Sequence, residues 1–182
     1  NNIVGKHYRS VPYYENAVLP SLVYDNGGGV DPAGHGIQIG NGARYNTVEL
    51  VNIAGNRGDG VLLDGAGTSF NHVSGVWTGF KYFLAELIEP QSAPNAGNSL
   101  RIADGANANV IGGFSIVRNN FSNDLQNGVL IEGADTADNV VRGTDIGHTP
   151  YVTRVNYTSF ARQLAGIGQS GIALKSGTGG NL

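Results

Sequence analysis

Two groups of residues in this 182-residue chain have the types and spacing to do chemistry. Asp124 and Asp145 lie on different turns of a repeating pattern. Hydrolysis of a glycosidic bond needs two carboxylates about 5–9.5 Å apart. Acids on adjacent strands, about 4.8 Å apart, can meet that need. His148, Tyr151 and Arg154 form the second group. A lyase needs a base such as Lys, Arg, His or Tyr, with a group that neutralises a uronate, and this cluster holds such residues. Whether either group cleaves a bond is left open by the sequence.

The surroundings of these residues favour sugars as ligands. Tyr8, Arg9, Tyr13, Tyr14, Tyr82, Tyr151, Arg154 and Tyr157 are the candidate binding residues, and all lie in three long irregular stretches, 6–34, 79–97 and 147–169. Only Tyr45, of the eight tyrosines, lies elsewhere. Aromatic rings stack on the apolar faces of sugars, and Arg, His and carboxylates bond hydroxyls and acidic groups. The alternative is that these aromatics cover strand edges or pack on a neighbouring subunit.

Other motifs are weaker. Glu86 and Glu89, at i and i+3, read as one solvated face. Arg57-Gly58-Asp59 spells an integrin-binding tripeptide but occupies the turn where Asn98 and Asn127 stand in other repeats, so a turn role is expected. Asp25 to Asp31 has no calcium-loop spacing. Asn120-Phe121-Ser122 and Asn156-Tyr157-Thr158 are glycosylation sequons. Gly40-Asn41-Gly42 and Gly65-Ala66-Gly67 precede no helix and are not phosphate loops. With no Cys there is neither a disulfide nor a thiolate metal site. No cofactor or metal is expected. A net charge of -3, with 14% charged residues, argues against nucleic acid. No apolar run approaches the ~20 residues of a membrane span, so no membrane insertion is expected.

The elements that position these groups are repeats. A strand with two apolar prongs comes first: Ile37/Ile39, Val61/Leu63, Leu100/Ile102, Val129/Ile131 and Ile172/Leu174. Nine or ten residues after the first prong stands an Asn: Asn46, Asn71, Asn109, Asn139, Asn181. A second apolar strand follows at once in all but the last repeat. The distance from one Asn to the next varies from 25 (Asn46 to Asn71) to 42 (Asn139 to Asn181). One half of the unit is rigid and the other elastic, which describes a solenoid coil with a decorated side. A buried amide is costly unless bonded, so these asparagines, with Asn2, are expected to bond to one another as a ladder. Gly, at 29 residues, fills the bends. Phe80–Ile88 and Thr158–Leu164 carry apolar residues near helical spacing, and short helices are expected there.

Gly128-Val129-Leu130-Ile131-Glu132-Gly133-Ala134, Asn139-Val140-Val141-Arg142-Gly143 and Asn109-Val110-Ile111-Gly112-Gly113 resemble repeats of secreted bacterial β-helix proteins. The resemblance, which covers most of the chain outside its loops, is to the right-handed parallel β-helix of pectate-lyase-like enzymes and phage tailspikes. It implies an all-β solenoid of about five coils with long loops on one edge. Residues 1–182 then read as a single β-helix domain, an internal piece of a longer solenoid. The resemblance further implies a tailspike-like surface protein, extracellular or on a virion, that binds bacterial polysaccharide and forms a homotrimer. A non-catalytic adhesin or extracellular filament, and a secreted polysaccharide lyase or epimerase, stand as alternatives. The acid-rich calcium strands of pectate lyases are missing from the sequence.

Overall fold

The computed structural model describes residues 3–4, 6–8, 18–24, 34–81, 91–113, 118–155, 159–164, 166–175 and 177–182. The described residues are all-β, with mostly parallel strands and no helix. The two-pronged segments become the strands Ile37–Ile39, Val61–Asp64, Leu100–Ala103, Val129–Glu132 and Ile172–Leu174. They pair in sequence order into a five-stranded parallel sheet. Its register joins Ile37, Val61, Leu100, Val129 and Ile172 in one row and Ile39, Leu63, Ile102, Ile131 and Leu174 in another. The prongs thus stack on like prongs. Val61, Leu63, Leu100, Ile102, Val129 and Ile131 are buried.

The second strands form a parallel sheet of their own. Thr47–Ala54 pairs with His72–Thr78, and His72–Thr78 with Val110–Ile111 and Asn119–Phe121. Its inward side chains, Val48, Val51, Ile53, Val73, Val76, Ile111 and Phe121, meet the prongs of the first sheet in one core. Gly112 and Gly79, at φ +83° and +81°, let neighbouring repeats come close. A Cβ on either would strike a backbone carbonyl, of Arg142 or of Ser122 respectively.

Between the two strands of each repeat the predicted asparagines bond in sequence. Asn46 Nδ2 donates to Asn71 Oδ1 at 2.9 Å, Asn71 to Asn109 at 3.0 Å, Asn109 to Asn139 at 3.0 Å and Asn139 to Asn181 at 3.1 Å. The backbone N–H of each donor residue reaches the same oxygen. The second Nδ2–H of Asn71, Asn109 and Asn139 goes to the carbonyl of Ala43, Thr68 or Ala106. The residue before each Asn is left-handed: Tyr45, Phe70, Ala108, Asp138 and Gly180 have φ of 51–61°. Asn2 lies outside the described residues.

Two further rows follow the same design. Asn56 donates to Asn95 at 2.7 Å, and Asn95 to Asp124 at 2.9 Å. Asn127 donates to Asn98 at 2.8 Å, and Asn98 to Asp59 at 2.6 Å.

One expectation is corrected. Ser159–Leu164 is a strand, antiparallel to His148–Val155, and not a helix. A helix of about seven residues is too short to sustain itself, whereas the Val152-Thr153-Arg154-Val155 run offers a β-prone partner that satisfies its backbone. Phe80–Lys81 likewise starts as a strand, paired with Gln91–Ser92, and residues 82–88 lie outside the described set.

Candidate functional site

Two of the three irregular stretches leave the second sheet at aligned strand ends. The first, expected as an irregular stretch over 6–34, differs: Val18–Tyr24 is a strand of that sheet beside Val51–Ala54, and the hairpin of Lys6–Tyr8 with Val18–Pro20 leaves in mid-strand, between the levels of Val48 and Val51. In the second sheet Ile53 pairs with Thr78, Trp77 with Asn120, and Phe121 with Ile146, so the four strand ends align. An antiparallel hairpin starts just after Thr78 and another just after Ile146. After Ala54 and Phe121 the same edge carries shorter connections. A rigid stack presenting neighbouring variable segments is a common way to build a binding surface.

Only some of the candidate sugar-binding residues are among the described residues. Tyr8 ends the strand Lys6–Tyr8, and His148, Tyr151 and Arg154 lie in His148–Val155, with His148 opposite Leu164 and Arg154 opposite Phe160. Arg9, Tyr13, Tyr14, Tyr82 and Tyr157 lie outside the described residues.

The two aspartates sit in different settings. Asp124 is buried and closes the row begun by Asn56 and Asn95. Its Oδ1 accepts from the backbone and side chain of Asn95, and its Oδ2 accepts from Ser99 Oγ at 2.5 Å. Burial pushes its carboxyl up to about 6, against the opposing pull of hydrogen bonds from Ser99, Thr78 and Asn95. Asp145 is half-buried on the strand Thr144–Ile146 and pairs with Arg118 at 3.2 Å. Beside that pair, Trp77 Nε1 donates to the carbonyl of Arg118 at 3.3 Å. Asp124 therefore serves the inner hydrogen-bond row and Asp145 the surface.

A second surface feature was not foreseen from the sequence. An open groove of about 270 Å³ crosses the outer face of the five-stranded sheet, lined by His35, Arg57, Arg101, Gln126, Glu132 and Lys175 among others. Glu132 bridges two cations: Arg101 Nη2 to Oε1 at 2.8 Å and Lys175 Nζ to Oε2 at 3.0 Å. Asp59 lies at its base. Burial raises its carboxyl, but bonds from His35 and Asn98 outweigh that and hold it below the usual range. The Asp of Arg57-Gly58-Asp59 is thus buried and bonded, which agrees with the expected turn role. The signal for the groove was Arg101 at the outward position of an apolar strand, with Glu132 and Lys175 each following a second prong.

Tyr45, set apart from the other tyrosines, stacks on Phe70 with ring centroids 5.3 Å apart and planes at 8°. Both rings are about half exposed. Asn120, the first sequon residue, is buried and accepts from Ser122 Oγ, so it offers no glycosylation site in the folded chain. Among the described residues no three His, Asp or Glu side chains converge on a metal position. Comparison of the chain with protein families, curated proteins and solved structures finds no match.

Proposed function

We propose that the chain is a right-handed parallel β-helix of about five coils that binds bacterial cell-surface polysaccharide, as part of a tailspike-like protein on a virion or in the extracellular space. One observation carries the reading: two hairpins, after Thr78 and after Ile146, leave a regular hydrogen-bonded stack at aligned strand ends. The in-order pairing of five like strands supports the β-helix, and the right-handed preference of parallel crossovers supplies its hand. The trimer belongs to this proposal by resemblance alone. Extended sugars suit such a surface, because a row of coils offers repeated contacts at fixed spacing.

A second reading is a non-catalytic adhesin. Asp124, one of two carboxylates weighed for cleavage, is engaged in the inner row of hydrogen bonds, which favours binding without chemistry. The test is a panel of capsular and O-antigen polysaccharides, with binding, reducing-end release and absorbance of unsaturated uronates all recorded. Binding to at least one member is expected. Reducing ends alone would mean a hydrolase, both signals a lyase, and neither signal an adhesin. Absence of binding across the panel would contradict the proposal.

A further inference from the structure

The groove on the five-stranded sheet bears on which polysaccharide is bound, and this inference rests on the reading above. Three cations, Arg57, Arg101 and Lys175, line it against one carboxylate at its surface, Glu132. Asp59 also borders it, buried and bonded to His35 and Asn98 with its carboxyl held below the usual range, so three cations face two carboxylates and one positive charge is left over. In a chain of net charge -3 this local excess of positive charge runs against the overall balance. Glu132 is bonded to one nitrogen of Arg101 and to Lys175. A guanidinium carries five N–H groups, and the Arg101 side chain is about one-third exposed to the groove beside Glu132. Arg57 is exposed on the turn before Val61–Asp64, with no ionic partner among the described residues.

The shape suits a polymer. From Arg57, beside the Val61 strand, to Lys175, after Ile172–Leu174, the groove spans three strand spacings, about 14 Å. That is too long for one small anion and fits an oligomer. Leu130 lies buried beneath it, and the lining that a ligand would meet is mainly polar.

We propose that this groove binds an acidic polysaccharide, with sugar carboxylates received by Arg57, Arg101 and Lys175. Bidentate geometry makes Arg well suited to carboxylates. Such binding weakens as salt rises, because the groove is open to solvent.

The experiment is calorimetric titration with three oligosaccharides of equal length: a polyglucuronate, a neutral glucan and a sulfated glucan. Native protein, Arg57→Gln and Lys175→Gln are compared, alongside the bacterial panel. Both side chains are exposed and outside the asparagine rows, and an unchanged melting temperature checks the fold of each variant. The polyglucuronate is expected to bind at least tenfold more tightly than the neutral glucan, and each variant to lose about tenfold. Equal binding of the charged and neutral oligomers would overturn the inference, as would binding of the sulfated oligomer alone. So would panel binding that neither variant weakens; in each case the polysaccharide reading would survive. Failure of every oligomer and every panel member would remove both.

Discussion

Replacing Asn109 by Ala is expected to destabilise the fold by about 3 kcal/mol, because each buried group left without a partner costs roughly 1–3 kcal/mol. Asn109 is fully buried. Its Oδ1 accepts from both the backbone and the side chain of Asn71, and its Nδ2 donates to Thr68 O and Asn139 Oδ1. Ala removes all four bonds and leaves the Asn71 N–H without an acceptor inside the stack. The backbone N–H of residue 109 keeps its bond to Asn139 Oδ1, so the chain path survives while its lateral lock is lost. The change is read from the urea midpoint. Asn181→Ala, at a half-buried last rung, is expected to cost less. An unchanged midpoint for Asn109→Ala would show that the row contributes nothing.

Asp124 is expected to make the fold less stable as pH rises from about 4 to about 6. In the folded protein burial holds its carboxyl near 6, whereas the unfolded chain titrates near 3.8. Between those values the folded state keeps a proton that the unfolded state has released, so raising the pH favours unfolding. At about 1.4 kcal/mol per pKa unit, the loss across the window is on the order of 3 kcal/mol. Above about pH 6 the contribution is flat. Asp124→Asn keeps the acceptor for Asn95 and cannot ionise. Thermal melts should show the variant more stable than the native protein at pH 8 and similar to it at pH 4. A native protein that gains no stability from the substitution at pH 8 would contradict this account of Asp124. Asp59 works in the other direction: its lowered carboxyl adds stability above its unfolded value that is lost as pH falls through the folded one.

The row through Asn46, Asn71, Asn109, Asn139 and Asn181 was legible in the sequence because the distance from strand to Asn is nearly constant. The row Asn56, Asn95, Asp124 was not. Its members are 39 and 29 residues apart, on connections of unequal length, and one is an acid rather than an amide. Only the stacking of neighbouring repeats brings them together. The position shared by Asp59, Asn98 and Asn127 was legible as a turn, but their hydrogen bonds were not, since a turn role predicts no partner. The groove was hidden for a related reason: Arg57, Arg101, Glu132 and Lys175 come from different repeats and meet only after the strands pair. Ser159–Leu164 misled because six or seven residues show a helical and a strand pattern almost equally well. The partner strand decided it.

The most direct test of the asparagine stack is hydrogen exchange by nuclear magnetic resonance at Asn71, Asn109 and Asn139. All three are buried, and each backbone N–H and side-chain amide is bonded to the next repeat or to a carbonyl. Both kinds of proton are expected to exchange as slowly as the protected amides of Val61, Leu100 and Val129 in the neighbouring sheet. Side-chain amides that exchange at the rate of exposed asparagines, while the sheet stays protected, would contradict the stack on which the proposed binding surface rests.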